Sequence, residues 1–231
     1  HTYIHTYLHT YIHTYILVES GEADGWLFYT MELIEGESLK QLIAAGHTTL
    51  AERLGIAVDL SAILTEIHSR NICHRDIKPS NIMRRTDGRC VYIDFGIAKD
   101  LGTDTDPELT ATGARLGVPW YMSPESKVEL KDNPDLERRA DVYSLAVTIY
   151  ELLSNDLPYK VRNLDDDEVR EVVRRDDPAA LREKNPDIPR PVAAAVMWGL
   201  SKQCVGELWS SISGPPGAAP AKPKPPHFRA S

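Results

Sequence analysis

Residues 74–81 read HRDIKPSN, followed by DFG at 94–96 and SPE at 123–125. Taken singly, Asp76, Lys78, Asn81 and Asp94 are ordinary polar loop residues, and a three-residue match carries no weight. Three ordered motifs around an eight-residue core are a different matter. Working outward, LAERLGIAVDLSAILTEIHSR (50–70) predicts a long helix, with Leu50, Leu54, Ala57, Val58, Leu64 and Ile67 as its buried stripe. EGESLKQLIAAG (35–46) reads as a shorter helix before it. CVYIDFG (90–96) reads as a short strand running into a turn, and DVYSLAVTIYELLSN (141–155) is apolar on nearly every face, as expected of a central helix wrapped by others. ILVESGEADGWLFYTMEL (16–33) holds two apolar runs separated by a turn containing Gly and Asp, the pattern of a hairpin.

The composition is that of a globular domain: 231 residues, 42% hydrophobic, 26% charged, formal net charge −8. Collagen-like, coiled-coil and wholly disordered chains are excluded. The acidic balance argues against nucleic acid or an anionic membrane surface as the main partner, because both are bound through clustered Lys and Arg. Cys73, Cys90 and Cys204 are widely spaced and form no CxxC pair, so neither a disulfide framework nor a four-ligand zinc site can be drawn from them. A reducing compartment is expected. No apolar run approaches the roughly 20 residues of a membrane helix, and no signal peptide is readable at the start, so the expected location is cytoplasmic.

The ends differ from the middle. The chain opens on HTYI-HTYL-HTYI-HTYI, and residues 1–15 form a low-complexity tract expected to be a strand or a frayed extension. As a helix it would stack His1, His5, His9 and His13, yet no carboxylate or cysteine in the tract completes a metal ligand set. Residues 204–231 form a Pro-rich tail that cannot pack as helix or sheet.

HRDIKPSN, DFG and SPE, in that order, match the catalytic loop, the metal-binding triplet and the A-P-E segment of protein kinases. The chain therefore resembles the eukaryotic-type serine/threonine protein kinases, and Lys78, two residues after Asp76, gives the serine/threonine form of the loop. The resemblance implies an α+β, kinase-like fold over residues 16–203. A remnant small-lobe hairpin would occupy 16–33, a hinge 31–36 and a mainly helical large lobe 37–203. It implies transfer of the γ-phosphate of ATP to a serine or threonine of a protein substrate, with ATP and Mg²⁺ as cofactors. Asp76 would orient the substrate hydroxyl, Lys78 would place a positive charge on the transferring phosphate, and Asn81 and Asp94 would ligate Mg²⁺. Met31 would be the gatekeeper, Glu32 and Ile34 would bond the adenine edge through their backbone, and Met83 would lie beneath the base. Both methionines would serve equally as core gap-fillers. Asp141 matches the family residue that holds the catalytic loop by its backbone NH groups. Arg75 would recruit a phosphothreonine from among Thr103, Thr105, Thr110 and Thr112.

The sequence departs from the family pattern in several places. No Gly-rich loop, strand lysine or partner glutamate precedes the hinge, and no lysine occurs before Lys40. A charge-assisted contact to the nucleotide is worth about 1.5–3 kcal/mol, and an ångström of misplacement costs about a hundredfold in rate, so weak or absent turnover is expected. Val118 stands where a threonine is usual. After Lys202 no arginine occurs before Arg229 to pair with Glu125, which is expected to lie half-buried without its partner. The alternatives are a binding scaffold built on the large lobe, or a kinase fragment without a catalytic role.

Overall fold

The computed structural model describes residues 17–23, 26–95, 119–124 and 133–202. The tetrapeptide tract, the four threonines of the 94–125 segment, Val118, Glu125 and the Pro-rich tail all lie outside the described residues.

Two antiparallel strands, β1 (Leu17–Ala23) and β2 (Trp26–Met31), form the expected hairpin, running from the pair Leu17↔Met31 to Ala23↔Trp26 with an irregularity after Leu17. A second sheet has the order β3 (Gly36–Ser38), β4 (Ile82–Arg85), β5 (Cys90–Tyr92), all antiparallel. β3 corrects the expectation that helix begins at Glu35. Gly36 faces Arg85 and Ser38 faces Met83, so this stretch pairs with a strand far along the chain before helix α1 (Leu39–Ala45) starts. Only glycine permits that approach, because a Cβ on Gly36 would lie 2.1 Å from the carbonyl oxygen of Arg84.

Helix α1 starts where the sequence offers a capping box. Ser38 accepts from the Gln41 amide, the Gln41 side chain accepts from the Ser38 amide, and the helix stops at Gly46 in the left-handed region. Helix α2 (Leu50–Ser69) repeats the device with Thr49 and Glu52. Its buried face is Ile56, Ala57, Leu60, Ile63, Leu64 and Ile67. Val58 does not belong to it: one residue on from Ala57 the chain has turned about 100°, and Val58 is 68% exposed.

Helix α3 (Pro134–Ser154) is the centre of the described large lobe. Asn133 caps it, Pro134 opens it, and Leu145, Val147, Ile149, Tyr150, Leu152 and Leu153 are all buried. Each such side chain contributes about 1.5–3 kcal/mol by leaving water. Arg53 ties α2 to the far end of α3 by donating from Nη1 to the Leu152 carbonyl (3.0 Å) and to Asn155 Oδ1 (2.8 Å). Three further helices complete the described lobe: α4 (Asp166–Arg175), α5 (Leu181–Lys184) and α6 (Arg190–Gly199). The last packs closely on α3, where a Cβ on Gly199 would lie 2.8 Å from that of Ala146.

Candidate active site

The loop His74–Asn81 follows α2 and ends in a turn of 3-10 helix, Pro79–Asn81, that leads into β4. Its entry is fixed by one carboxylate. Asp141, in the second turn of α3 and only 1% exposed, accepts from the His74 amide through Oδ2 and from the Arg75 amide through Oδ1, both at 2.7 Å. His68 Nε2, at the end of α2, donates to Oδ2 at 3.0 Å. For two successive amides to aim at one carboxylate the backbone must turn sharply, and Arg75 has φ 67°. A non-glycine residue there costs about 1–3 kcal/mol, which two charge-assisted bonds of about 1.5–3 kcal/mol each more than offset. The Arg75 side chain reaches Glu137, one turn earlier on α3, at 3.0 Å.

His74 is wholly buried. Its Nε2 donates to the Ile93 carbonyl (3.1 Å) and its Nδ1 accepts from the Asp76 amide (3.3 Å). One donor and one acceptor are what neutral imidazole offers. Burial pushes its pKa below the ordinary histidine value against the pull of Asp141 and Asp76, so the ring is neutral. It stacks on Phe95, with centroids 4.5 Å apart, and leans on Tyr92. The ring thus joins the 74–81 loop to the strand and turn carrying Asp94.

Asp76 Oδ2 lies between Lys78 Nζ at 2.7 Å and Asn81 Nδ2 at 2.8 Å. Asn81 Nδ2 also donates to the Asp76 carbonyl at 2.9 Å, and since a carbonyl only accepts, this fixes which end of the amide is which. Oδ1 is thereby turned away from Asp76, and Ser80 Oγ donates to it at 3.2 Å. The Ile93 amide donates to the Asn81 carbonyl at 2.9 Å, extending the β4–β5 ladder so that Asp94 follows beside Asn81, with φ 55° in the turn.

Asp76, Lys78 and Asn81 are therefore in direct contact, and Asp94 is brought alongside by the ladder. Met83 stands two residues after Asn81 on β4, opposite Ser38. Met31 ends β2, and Glu32 and Ile34 lie in the connection 32–35, where Leu33 is 89% exposed. The 32–35 connection is linked to the loop through the β3–β4 pairing and the bond from the Thr86 amide to the Glu35 carbonyl (3.1 Å). Asn81 Oδ1 and the Asp94 carboxylate are hard oxygen donors of the kind Mg²⁺ takes, and the fixed orientation of Asn81 suits that role.

Sequence reasoning missed four residues here. His68 and Glu137 have no spacing that marks them, and Phe95 is read only as part of the DFG triplet, not as the ring His74 stacks on. Tyr121, in the short helix Pro119–Tyr121, donates to Glu151 Oε2 at 2.5 Å, and its carbonyl accepts from Ser144 Oγ at 2.7 Å. Burial raises the Glu151 carboxyl, and the Tyr121 hydroxyl pulls it back down.

The geometry is that of a protein kinase large lobe, and comparison with known proteins agrees. The family described as "Protein kinase domain" matches residues 2–204. The chain belongs to the protein kinase domain family, of the eukaryotic serine/threonine type. It is 32% identical over 190 residues to serine/threonine-protein kinase PknH of Mycobacterium tuberculosis, covering 79% of this chain and 28% of that protein. It is 34% identical over 146 residues to PknD of the same species, with coverage of 63% and 21%, and 36% identical over 151 residues to pkn3 of Myxococcus xanthus, with coverage of 62% and 27%. The chain spans less than a third of the length of each. Among the described residues, no helix is long and apolar enough to cross a membrane.

Proposed function

We propose that this chain carries the phosphotransfer centre of a serine/threonine protein kinase, acting on a hydroxyl of a protein substrate with ATP and Mg²⁺. The observation that carries this reading is the Asp76 carboxylate held between Lys78 and Asn81 on a loop pinned by Asp141. When bound, Mg·ATP supplies the phosphoryl group and neutralises the charge that builds on its oxygens. Asp76 takes the proton of the serine or threonine hydroxyl as that oxygen bonds to phosphorus and the bond to the ADP oxygen breaks. Lys78 holds Asp76 in place and adds positive charge beside the transferring group. Asn81 Oδ1 and the Asp94 carboxylate would hold the metal ion. Glu32 and Ile34 bond the adenine edge through their backbone, with Met31 at the rear and Met83 below.

Neutral His74 keeps the loop and the Asp94 turn in one rigid unit without adding charge near Asp76. The residues of this sequence include neither a Gly-rich loop nor a strand lysine before the hinge, so a slow rate is expected. The test is transfer of label from ATP to a generic basic protein in the presence of Mg²⁺, with Asp76→Asn and Asp94→Ala in parallel. Transfer by the parent above both variants is the expected result; equal transfer by all three rejects the assignment.

A further inference from the structure

We propose that His68, Cys73 and Asp141 form a three-ligand site for a borderline-soft divalent cation of the zinc type, set behind the catalytic loop and distinct from the Asn81–Asp94 pair. His68 Nε2, Cys73 Sγ and an Asp141 carboxylate oxygen lie within 4.8 Å of one another. Tetrahedral zinc, with bonds of about 2.0–2.3 Å, needs its ligand atoms about 3.3–3.7 Å apart, so about an ångström of closure by Cys73 Sγ completes the set. The three come from separate places: the last turn of α2, the residue before His74, and α3. Two are already joined, since His68 Nε2 meets Asp141 Oδ2 at 3.0 Å.

The donor types suit this class of ion. Imidazole, thiolate and carboxylate together are a zinc ligand set, and three protein ligands leave the fourth position to water. His68 and Cys73 are both partly exposed, which gives the ion a way in. The Arg75 amide on Oδ1 fixes the carboxylate from behind, as outer partners of metal ligands do. Burial and the carboxylates of Asp141 and Glu137 push the Cys73 thiol up to about 12, so without a cation it remains a thiol. A dication reverses that field. Binding replaces the thiol proton, which leaves to solvent, while the His68 hydrogen on Nε2 moves to Nδ1 so that Nε2 ligates.

The experiment is titration of the full-length reduced chain with Co²⁺, followed by optical spectroscopy. Tetrahedral sulfur ligation gives a thiolate-to-cobalt charge-transfer band in the near ultraviolet together with intense visible bands, and neither the histidines of the tetrapeptide tract nor the Asn81–Asp94 pair can supply sulfur. The expected result is one equivalent bound with that band, displaced by Zn²⁺, abolished by Cys73→Ser, weakened at least tenfold in affinity by His68→Gln and unchanged in Cys204→Ser. Absence of a charge-transfer band in the parent overturns the proposal, as does a band that survives Cys73→Ser or is lost in Cys204→Ser. His68→Gln keeps the test decisive should Cys73→Ser fail to fold, because binding at parental affinity in that variant also overturns it.

Discussion

Replacing Asp141 with asparagine tests whether one carboxylate sets the shape of the catalytic loop. Asp141 accepts three bonds through two oxygens, from the His74 amide, the Arg75 amide and His68. An asparagine side chain has one accepting oxygen. If that oxygen takes the Oδ2 position, with its two donors, the new NH₂ group meets the Arg75 amide, donor against donor. The loss comprises one charge-assisted bond, about 1.5–3 kcal/mol, and a buried amide without an acceptor, about 1–3 kcal/mol. Together these place the cost at about 2.5–6 kcal/mol. For a chain of this size, 3 kcal/mol lowers the melting temperature by about 6–12 °C. Urea unfolding at equilibrium measures the loss as a fall in midpoint at unchanged slope. Amide exchange then locates it, because residues 74 and 75 lose protection well before the interior of α3. Asp141→Ala removes all three acceptor positions and costs more. An Asp141→Asn chain within about 0.5 kcal/mol of the parent, with exchange at 74–75 unchanged, refutes the idea that this carboxylate holds the loop.

Three other predictions rest on separate contacts. Because His74 is neutral when folded and its pKa is depressed, the unfolded chain takes up a proton below about pH 6.5 that the folded chain refuses. Stability therefore falls as pH drops below that value, by up to about 1.4 kcal/mol per pH unit, and His74→Phe, measured with a chelator present, flattens that slope. Gly36→Ala drives a methyl against the Arg84 carbonyl and costs about 1–3 kcal/mol or more, seen as a lower melting temperature with β3–β4 amides exchanging first. Tyr121→Phe removes the hydroxyl that lowers the Glu151 carboxyl, so the carboxyl titrates at higher pH than in the parent by side-chain NMR.

The 74–81 loop, the helix α2 and the central helix α3 are legible because each carries a local mark: an ordered motif, apolar residues at helical spacing, or an apolar run too broad for a surface helix. Helix α4 goes unread, although Asp165 caps it, Glu168 answers the cap and Arg174–Arg175 close it. Strand β3 carries none, since three residues are too few to alternate and its partner lies on β4. The Val58 error has the same root: spacing alone fits several stripes on a helix, and only the neighbours decide which is covered. Within the site, Asp76, Lys78 and Asn81 are close in sequence and so visible together. The bond from His68 to Asp141 spans 73 residues and exists only once the chain has folded.

The acceptor that shapes the loop entry lies 67 residues downstream of the first amide it receives. On a ribosome adding about 5–20 residues per second, His74 is synthesised about 3–13 s before Asp141. Through that interval the strained turn at Arg75 lacks the carboxylate that receives its amide, and α2 lacks the helix to which Arg53 and His68 bind it. Setting the loop entry is thus timed by the arrival of α3, and nascent chains stalled before that helix emerges carry the whole motif without the bonds that shape its first turn.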